Sequence, residues 1–436
     1  INGKIEPFRT FNLSASAPIC PLHTKQSAGY SCPTLLQVTF PEGLVKSLVQ
    51  LPPICTLPPA ETRRPPKAKN VNQSPLIEIH TASGARLLPE GEARALLTYG
   101  DVPGEYAAAT QAWVVLDETD RGALRVTGAD ASSFLHNLLS NEVRNLAIGH
   151  SIPNLLLDPK GKVRFTIELT RLDENELLIS TEAGQASALA QALDMYLFSE
   201  DVQLTETTEQ HAPVSIAGPL AEEKLAGLCQ GALPKEGGAN ITVNGFQVSA
   251  SPSMRAGLSA WTLDAGAENV SALWSALVDA GAQAIGRIAL DSLRAEACVG
   301  QAGEDIDDTL YPQEARLESS FSLDKGCYIG QEVVAKIDTY GGLNKRLCLL
   351  RIDHDDPVPR GTRLYREDSD SSEWRDLGVS TTWAYSFAQD GGVILAYIKR
   401  KHQEPGTRFR IGDGPAEASK PPERELRRAP KLDLTP

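Results

Sequence analysis

The chain has 436 residues, of which 41% are hydrophobic and 22% charged, and its formal net charge is −14. At roughly 100–200 residues per domain, this length predicts two to four globular domains. The negative charge repels nucleic acid at long range and argues against a general DNA-binding role, with a local basic patch as the alternative. No stretch of 18 apolar residues occurs, so no membrane span is predicted.

The first 74 residues differ in texture from the rest of the chain. They contain the proline-rich stretch PPICTLPPAETRRPPKAKN and show no hydrophobic periodicity. Such composition is typical of a disordered or non-native extension, which we predict for residues 1–74; a docking arm is the alternative.

Ordered structure is predicted from about residue 75 onward. A helix is expected over Ala131–Leu139, with Asp130 as its N-terminal cap. A strand is expected over Val163–Leu169, where apolar and polar residues alternate, and the turn DENE followed by ELLIS predicts a hairpin. Helical apolar stripes follow at Leu189–Leu197 and Val270–Leu277.

The texture changes again after about residue 340. Short runs such as LCLLRI, GGVILAYI and TRFRI are separated by Gly, Pro and Asp, which predicts a small antiparallel β barrel or sandwich. Residues 416–436 are predicted to be a polar tail.

The seven cysteines point to free thiols. Their number is odd and no CxxC pair occurs, which argues against a disulfide framework and against a zinc site. We therefore predict a reducing compartment and no metal site.

One cysteine lies in unusual company, in the octet KGCYIGQE at residues 325–332. A neighbouring ammonium such as that of Lys325 favours the thiolate of Cys327. Gly326 and Gly330 allow a sharp turn and a close ligand, and Gln331 and Glu332 offer planar hydrogen-bonding groups that suit a heterocycle. The octet thus predicts a reactive or binding loop that enters a strand at VVAKI. The alternative is a buried cysteine in a tight turn.

The octet resembles the signature of the YgfZ family, the folate-binding relatives of the glycine-cleavage T-protein (aminomethyltransferase). Similar segments extend over about residues 75–415. They are RVTGADASSFLHNLLSNEV (125–143), LLLDPKGKV (155–163), LDSLRAEACV (290–299), LYPQEARLE (310–318) and GGLNKRL (341–347).

The resemblance implies an α+β fold of three domains arranged as a ring around a central folate channel. We expect a first domain of residues 75–155 plus 212–300, a second of 156–211 plus 301–338, and the antiparallel barrel at 339–415. It further implies that a tetrahydrofolate or a derivative is the cofactor.

The chain departs from the T-protein pattern at two places. T-proteins place a catalytic aspartate on the strand after the glycine turn, where this chain has Phe165 and Thr166. Their GYTGE-type stretch, whose glutamate contacts the pterin, corresponds to GLSAWTL (257–263), which has no acid. The aminomethyl-transfer apparatus is therefore expected to be missing, although a pterin can be bound without it.

The resemblance also supplies candidate residues. Arg294 is expected to reach the folate carboxylate or ring, or else to form an ion pair within its helix end, while Glu296 orients neighbours. Asp158 has a predicted role by resemblance only, since Asp-Pro also builds a plain turn. Trp261 can stack on a ring or lie in the core. The complete binding set adds three octet residues and reads Arg294, Glu296, Tyr328, Gln331, Glu332, Asp158 and Trp261. His136 is expected to be solvated.

The predicted function is a folate-binding accessory role in the assembly or repair of iron–sulfur proteins, including enzymes that modify tRNA. Cys327 is the functional thiol, with Lys325 beside it. The alternative is a folate-dependent one-carbon (aminomethyl or methyl) transferase, which is the expected class if the protein is an enzyme. Expected partners are folate and iron–sulfur proteins or cluster carriers, with no membrane and no direct nucleic-acid contact. A monomer is expected. The bacterial cytoplasm is the expected compartment, since no Arg-rich amphipathic start is seen.

Overall fold

The computed structural model describes residues 74–88, 96–234, 237–352, 355–367, 374–411 and 424–428. The predicted extension at 1–74 lies almost entirely outside these described residues. None of the helices in these ranges combines the length and the apolar character needed to span a bilayer.

The helices follow the apolar periodicity of the sequence. They are α1 (Ile77–Ala82), α2 (Val102–Gln111), α3 (Ala131–Leu138), α4 (Ala186–Asp194), α5 (Ala221–Leu228), α6 (Val270–Asp279), α7 (Arg287–Glu296) and α8 (Gln331–Tyr340).

The strands form two open sheets, a barrel and one small pair. They are β1 (Arg86–Leu87), β2 (Leu96–Thr98), β3 (Val114–Asp117), β4 (Gly122–Thr127), β5 (Ser151–Leu157), β6 (Val163–Asp173), β7 (Glu176–Thr181), β8 (Gln203–Glu206), β9 (Pro213–Ala217), β10 (Ala239–Val243), β11 (Phe246–Arg255), β12 (Leu258–Asp264), β13 (Gln283–Ala284), β14 (Lys345–Ile352), β15 (Arg363–Glu367), β16 (Trp374–Ser386), β17 (Gly391–Lys399), β18 (Arg408–Ile411) and β19 (Arg424–Arg428).

The first sheet has six strands in the order β10-β11-β12-β9-β3-β13. Its pairs are antiparallel except for β13 with β3. Its core packs against α5 and α6, where Leu225, Leu273 and Leu277 are fully buried. Burying three leucines stabilises the fold by roughly 1.5–3 kcal/mol each.

The second sheet has five antiparallel strands in the order β5-β6-β7-β4-β8. The predicted hairpin is confirmed, since β6 pairs with β7. Val163, Phe165, Ile167 and Leu169 are buried as their alternation predicts. The covering helix α3 begins at Ala131 after Asp130, whose side chain does not cap it and instead accepts from the backbone N–H of Asp201.

The change from one sheet to the other falls between β3 and β4, because β4 and β5 both lie in the five-stranded sheet. The predicted boundary at residue 155 is therefore later than the place where the chain leaves the first sheet. The local pattern of β4 carries no mark of its partners β7 and β8, which are distant in sequence.

The carboxy-terminal strands curl into an antiparallel barrel in the order β14-β17-β16-β15-β18-β19, closed by pairing of β14 with β19. This confirms the antiparallel barrel expected after residue 340. Residues 424–428, predicted as part of a polar tail, form the closing strand instead. The pairing partner β14 lies far earlier in the chain, so the local composition did not predict this strand.

Candidate functional site

The octet forms a loop that is exposed at Gly326 and Cys327 and leads into α8, which begins at Gln331. Cys327 is a free, exposed cysteine, so the alternative of a buried thiol is wrong. The predicted strand at VVAKI is also wrong, since these residues lie within α8. Left-handed glycines flank this helix on both sides, Gly330 with φ 80° and Gly341 with φ 64°, and a Glu332–Lys336 pair spans one turn of it.

Two glycines lock the octet to the turn after β5. A Cβ at Gly330 would lie 2.6 Å from the carbonyl oxygen of Asp158 and 2.9 Å from the Cα of Gly161. In the reverse direction, a Cβ at Gly161 would lie 3.3 Å from the carbonyl oxygen of Gly330. The segments LLLDPKGK and KGCYIGQE, identified separately in the sequence, therefore meet backbone to backbone.

Asp158 builds this turn. Its Oδ1 accepts hydrogen bonds from the backbone N–H groups of Lys160 and Lys162, each at 2.8 Å. Such an Asp-centred turn is the plainer of the two expected readings. The residue holds the surface against which the octet rests.

Lys325 fastens the octet to α3. Its ammonium donates to the carbonyl oxygens of His136 and of Leu139, the latter at 2.7 Å, at the negative end of the helix. Burial, with a contribution from Arg144, lowers the pKa of Lys325 to about 8, although Glu142 opposes the shift. The ammonium of Lys325 is bound to the carbonyl oxygens at the end of α3. Lys325 was expected to activate the thiol of Cys327, but no contact between these two side chains is found among the described residues.

His136 makes the return contact from α3 to Lys325. The expectation of a solvated histidine is wrong. It is 5% exposed, and its Nε2 donates to the carbonyl oxygen of Lys325 at 3.0 Å. Its Nδ1 accepts from the N–H of Arg144 at 3.3 Å. Burial, then the Lys325 charge, lowers its pKa, which keeps the ring neutral. The helical stripe gave no signal for this contact because its partner lies 189 residues away.

The other octet side chains point in different directions. Tyr328 is 7% exposed and packs beside Leu157, Val163 and Val334. Burial raises its pKa to about 12. Gln331 is half-buried at the start of α8, while Glu332 is exposed and pairs with Lys336 at 2.5 Å.

Arg294 lies in a buried ion network between α7 and the barrel. It is 4% exposed, and its three nitrogens donate to Asp291 (2.5 Å), Asp305 (2.6 Å), Glu304 (3.0 Å) and the Thr382 hydroxyl (3.1 Å). The intramolecular ion pair is therefore the arrangement found, and every nitrogen of the guanidinium is already engaged.

Glu296 and Trp261 are also buried. Glu296 is 0% exposed and accepts from Tyr106 (2.7 Å), Ser386 (2.5 Å) and the N–H of Ala388 (3.1 Å), which joins α2, α7 and the barrel. Trp261 is 6% exposed within the core of the six-stranded sheet. These contacts are those of an orienting residue and a core residue.

A cavity of about 390 Å³ lies between the two open sheets. Its lining includes residues from β6 and β7 of the five-stranded sheet and from β10, β11 and β12 of the six-stranded sheet. Apolar walls come from Ile148, Leu172, Leu178 and Pro213. Polar lining residues include Thr170, Ser180, His211, Asn240 and Asp264. The volume is within the range of small-molecule sites.

Arginines dominate the charged lining of the cavity. Four of them, Arg121, Arg125, Arg171 and Arg255, face it together with the carboxylates of Glu168 and Asp264. The side chains of this wall favour a ligand that carries negative charge and apolar surface together.

Arg255 is the centre of the charge network. Its Nε donates to Glu118 at 2.7 Å, and its Nη2 donates to Glu168 at 3.3 Å and to Thr262 at 2.9 Å. Burial alone would raise the pKa of Glu118, but the charges of Arg255 and Arg121 bring it below its usual value. Sequence reasoning missed these residues; an arginine two places before GLSAWTL was the available signal.

The strand β6 carries an acid near the place where T-proteins have theirs. Thr166, Glu168 and Thr170 share one face of β6, and Glu168 and Thr170 line the cavity. Phe165 is 9% exposed on the opposite, core-facing side. The carboxylate of Glu168 thus lies two residues beyond Thr166, one of the two positions where the acid was expected, on the same face of β6.

The cavity and the octet are separate places. The octet contributes none of the residues that line this cavity. Val163 begins β6 two residues after Gly161, which contacts the octet, and Glu168 lies five residues further along the strand, about 17 Å in an extended conformation.

The surroundings of Cys327 bear on metal binding. Among the described residues, no group of three or more His, Cys, Asp or Glu side chains is placed to hold a metal ion.

Comparisons with known proteins agree with this architecture. The family described as "GCVT N-terminal domain" matches residues 76–325, which is more than half of the chain. The chain is 28% identical over 362 residues to an aminomethyltransferase of Symbiobacterium thermophilum, covering 79% of this chain and 93% of the relative. It is 24% identical over 306 residues to a putative chloroplastic transferase of Arabidopsis thaliana, covering 69% and 68%.

Among solved structures, glycine cleavage system aminomethyltransferase T from Bartonella henselae superposes with a TM-score of 0.71 at 22% identity, covering 84% of this chain and 98% of that one. This chain therefore has the T-protein-like fold, and it belongs to the GCVT N-terminal domain family.

Proposed function

We propose that this member of the GCVT family binds a tetrahydrofolate between its two sheets and supports iron–sulfur proteins through the exposed thiol of Cys327. The cavity of about 390 Å³ between the sheets carries the proposal. The expected ring of three domains would make it part of a central channel.

The cavity residues fit a folate in their chemistry. A pterin ring needs apolar faces and planar polar partners, which Leu178, Ile148 and Asn240 offer. A carboxylate tail needs cations, and a guanidinium binds carboxylates in bidentate fashion. Arg125 suits this role, because its side chain is exposed and Glu176 is its only ionic partner among the described residues.

The thiol fits the accessory role by position. Cys327 is exposed on a loop whose base is locked by Gly330 against Asp158 and whose start is fastened by Lys325 to α3. A thiolate can ligate iron, but a single cysteine needs further ligands from a partner. The proposal therefore requires a client protein or a carrier that brings its own thiols.

Folate binding is tested by calorimetry with tetrahydrofolate. Leu178→Trp adds bulk to the cavity wall and is expected to weaken binding by tenfold or more, which is about 1.4 kcal/mol. The matched control Ser275→Trp lies on the exposed side of α6 and is expected to bind like wild type. Absence of binding by the wild-type protein refutes the folate part.

The thiol is tested separately. In cells that lack the native protein, Cys327→Ala is expected to leave a cluster-dependent enzyme at the activity of the deletion strain. The control Cys229→Ala changes a half-buried thiol elsewhere and is expected to restore activity. Full rescue by Cys327→Ala removes the thiol from the proposal without affecting folate binding.

A second candidate is a folate-dependent one-carbon transferase, and Glu168 favours it. This carboxylate faces the cavity two residues beyond Thr166 on the same face of β6. Incubation with tetrahydrofolate and aminomethyl or methyl donors, followed by detection of methylene- or methylfolate, separates it from the accessory role. Turnover lost in Glu168→Gln would establish the transferase.

A further inference from the structure

A serine, a histidine and an aspartate meet in the wall of the cavity. Nδ1 of His211 lies 2.5 Å from Oδ2 of Asp264, and Nε2 of His211 lies 3.3 Å from Oγ of Ser180. All three residues line the cavity between the sheets.

Each member comes from a different part of the fold. Ser180 lies on β7, on the face that it shares with the cavity-lining Leu178. Asp264 is the last residue of β12 in the other sheet, and His211 lies in the connection from β8 to β9. The arrangement therefore bridges both walls and depends on the tertiary structure.

Asp264 selects the tautomer of the neutral histidine ring. Its Oδ1 accepts from the backbone N–H groups of Gly266 (2.9 Å) and Ala212 (3.3 Å), which leaves Oδ2 for His211. Burial alone would raise the pKa of Asp264, but its bonds to His211 and to these N–H groups hold it below its usual value. An ionised carboxylate only accepts, so Nδ1 of His211 carries the proton and Nε2 is free to take one from Ser180.

We propose that Ser180, His211 and Asp264 form a catalytic site for acyl transfer, with Ser180 as the nucleophile and His211 as the general base. The roles follow from the geometry of the three side chains, since the triad is recognised by its hydrogen-bonding order and not by sequence position. The Ser180–His211 distance is slightly long, as is common for such pairs before substrate binds.

The reaction balances with water as the second reactant. Oγ of Ser180 bonds to the acyl carbon of an ester while its proton moves to Nε2 of His211. The ester C–O bond then breaks, and the leaving alcohol takes the proton from His211. Water, deprotonated by His211, attacks the acyl-serine, releases the carboxylic acid and returns the proton to Ser180.

The lining charges select the substrate class, a small ester that carries a carboxylate. Arg125 pairs with Leu178 across β4 and β7, so it is the diagonal neighbour of Ser180 on the same face. Glu168 lies directly opposite Ser180 on β6, but its charge is met by Arg255 at 3.3 Å and Arg121 at 3.9 Å. An anionic ester group is therefore attracted on the Arg125 side.

The site is tested on the full chain with a fluorophosphonate probe and peptide mapping. One adduct on Ser180 is expected, and Ser180→Ala abolishes it. His211→Gln is expected to lower the labelling rate by about 10²–10⁴-fold, the contribution of a general base. Ser275→Ala on α6 labels like wild type. No adduct on Ser180 under conditions that fully label a serine esterase overturns the proposal.

Two further measurements separate catalysis from a folding role. The mono-4-nitrophenyl ester of adipic acid is expected to react at least tenfold faster, in kcat/KM, than 4-nitrophenyl hexanoate, and Arg125→Met narrows this ratio. In Ser180→Cys, iodoacetamide is expected to alkylate residue 180 faster than in the double variant with His211→Gln. Equal ester rates in wild type and Ser180→Ala refute the site.

This activity goes beyond the proposed function and can fail independently of it. Tetrahydrofolate binding by the wild-type protein, measured by calorimetry, tests the proposed function, whereas the adduct on Ser180 tests the acyl-transfer site. Loss of labelling in the presence of intact folate binding would be evidence against the acyl-transfer site only.

Discussion

Replacing Arg294 distinguishes a structural cation from a ligand-binding one. The side chain of Arg294 is 5% exposed and that of its partner Asp305 is 0% exposed, at 2.6 Å. Arg294→Ala leaves this carboxylate with the backbone N–H of Gln301 and the hydroxyls of Thr381 and Thr382 as its donors. Removal of one partner of a buried pair costs about 3–5 kcal/mol of unfolding free energy.

The same helix offers a matched control. Arg287 contacts Asp291 at 3.4 Å and also Glu304, two carboxylates that Arg294 shares, but its side chain is 31% exposed. Arg287→Ala is expected to cost about 0–1 kcal/mol, the value for a surface pair.

Urea denaturation of both variants provides the measurement, and thermal unfolding provides a second one. At about 2–4 °C per kcal/mol, Arg294→Ala is expected to lower Tm by roughly 10 °C. A loss below about 1 kcal/mol in Arg294→Ala, together with a large loss of folate affinity, would refute this reasoning and support a ligand-binding guanidinium.

Three other variants test the octet and its support. Gly330→Ala forces a Cβ to 2.6 Å from a backbone oxygen at φ 80°, and we expect a loss of about 1–3 kcal/mol in urea denaturation. Lys325 has a pKa lowered to about 8, so the folded state binds fewer protons than the unfolded state between pH 8 and 10.5, and stability is expected to rise with pH in this window. Lys325→Met is expected to remove that rise in thermal unfolding scans. Tyr328→Phe removes a buried hydroxyl that has no hydrogen-bond partner among the described residues, and its unfolding free energy is expected to change by less than about 1 kcal/mol.

The controls for these variants lie close by. Gly326 has φ 99° but open space around it, so Gly326→Ala adds strain without a clash and is expected to cost less than Gly330→Ala. The hydroxyl of Tyr397 donates to the carbonyl oxygen of Asp305 at 2.9 Å, so Tyr397→Phe is expected to cost about 1–3 kcal/mol. Equal costs within either pair would contradict these assignments.

The sequence predicted those features that depend on short-range pattern. The helix at 131–138 and the hairpin of β6 with β7 follow from periodicity and a turn signal. The strand predicted at VVAKI was wrong, because two adjacent β-branched residues are compatible with a strand as well as with a helix. The flanking left-handed glycines and the Glu332–Lys336 pair decided in favour of the helix.

The candidate site was predictable only in its octet. KGCYIGQE is contiguous, so its thiol could be identified directly. The cavity network joins Arg255 to residues 137 and 87 positions away, Glu118 and Glu168. No local pattern records such a meeting, and each of these residues alone is typical of an exposed charge.

Between residues 114 and 284 the chain passes from one open sheet to the other twice, once after Asp117 and once after Glu206. Arg121 lies on the first passage and His211 on the second. Both connections border the cavity. The placement of one sheet against the other therefore sets the 3.3 Å gap between Ser180, which lies on the five-stranded sheet, and His211, which lies on the second connection.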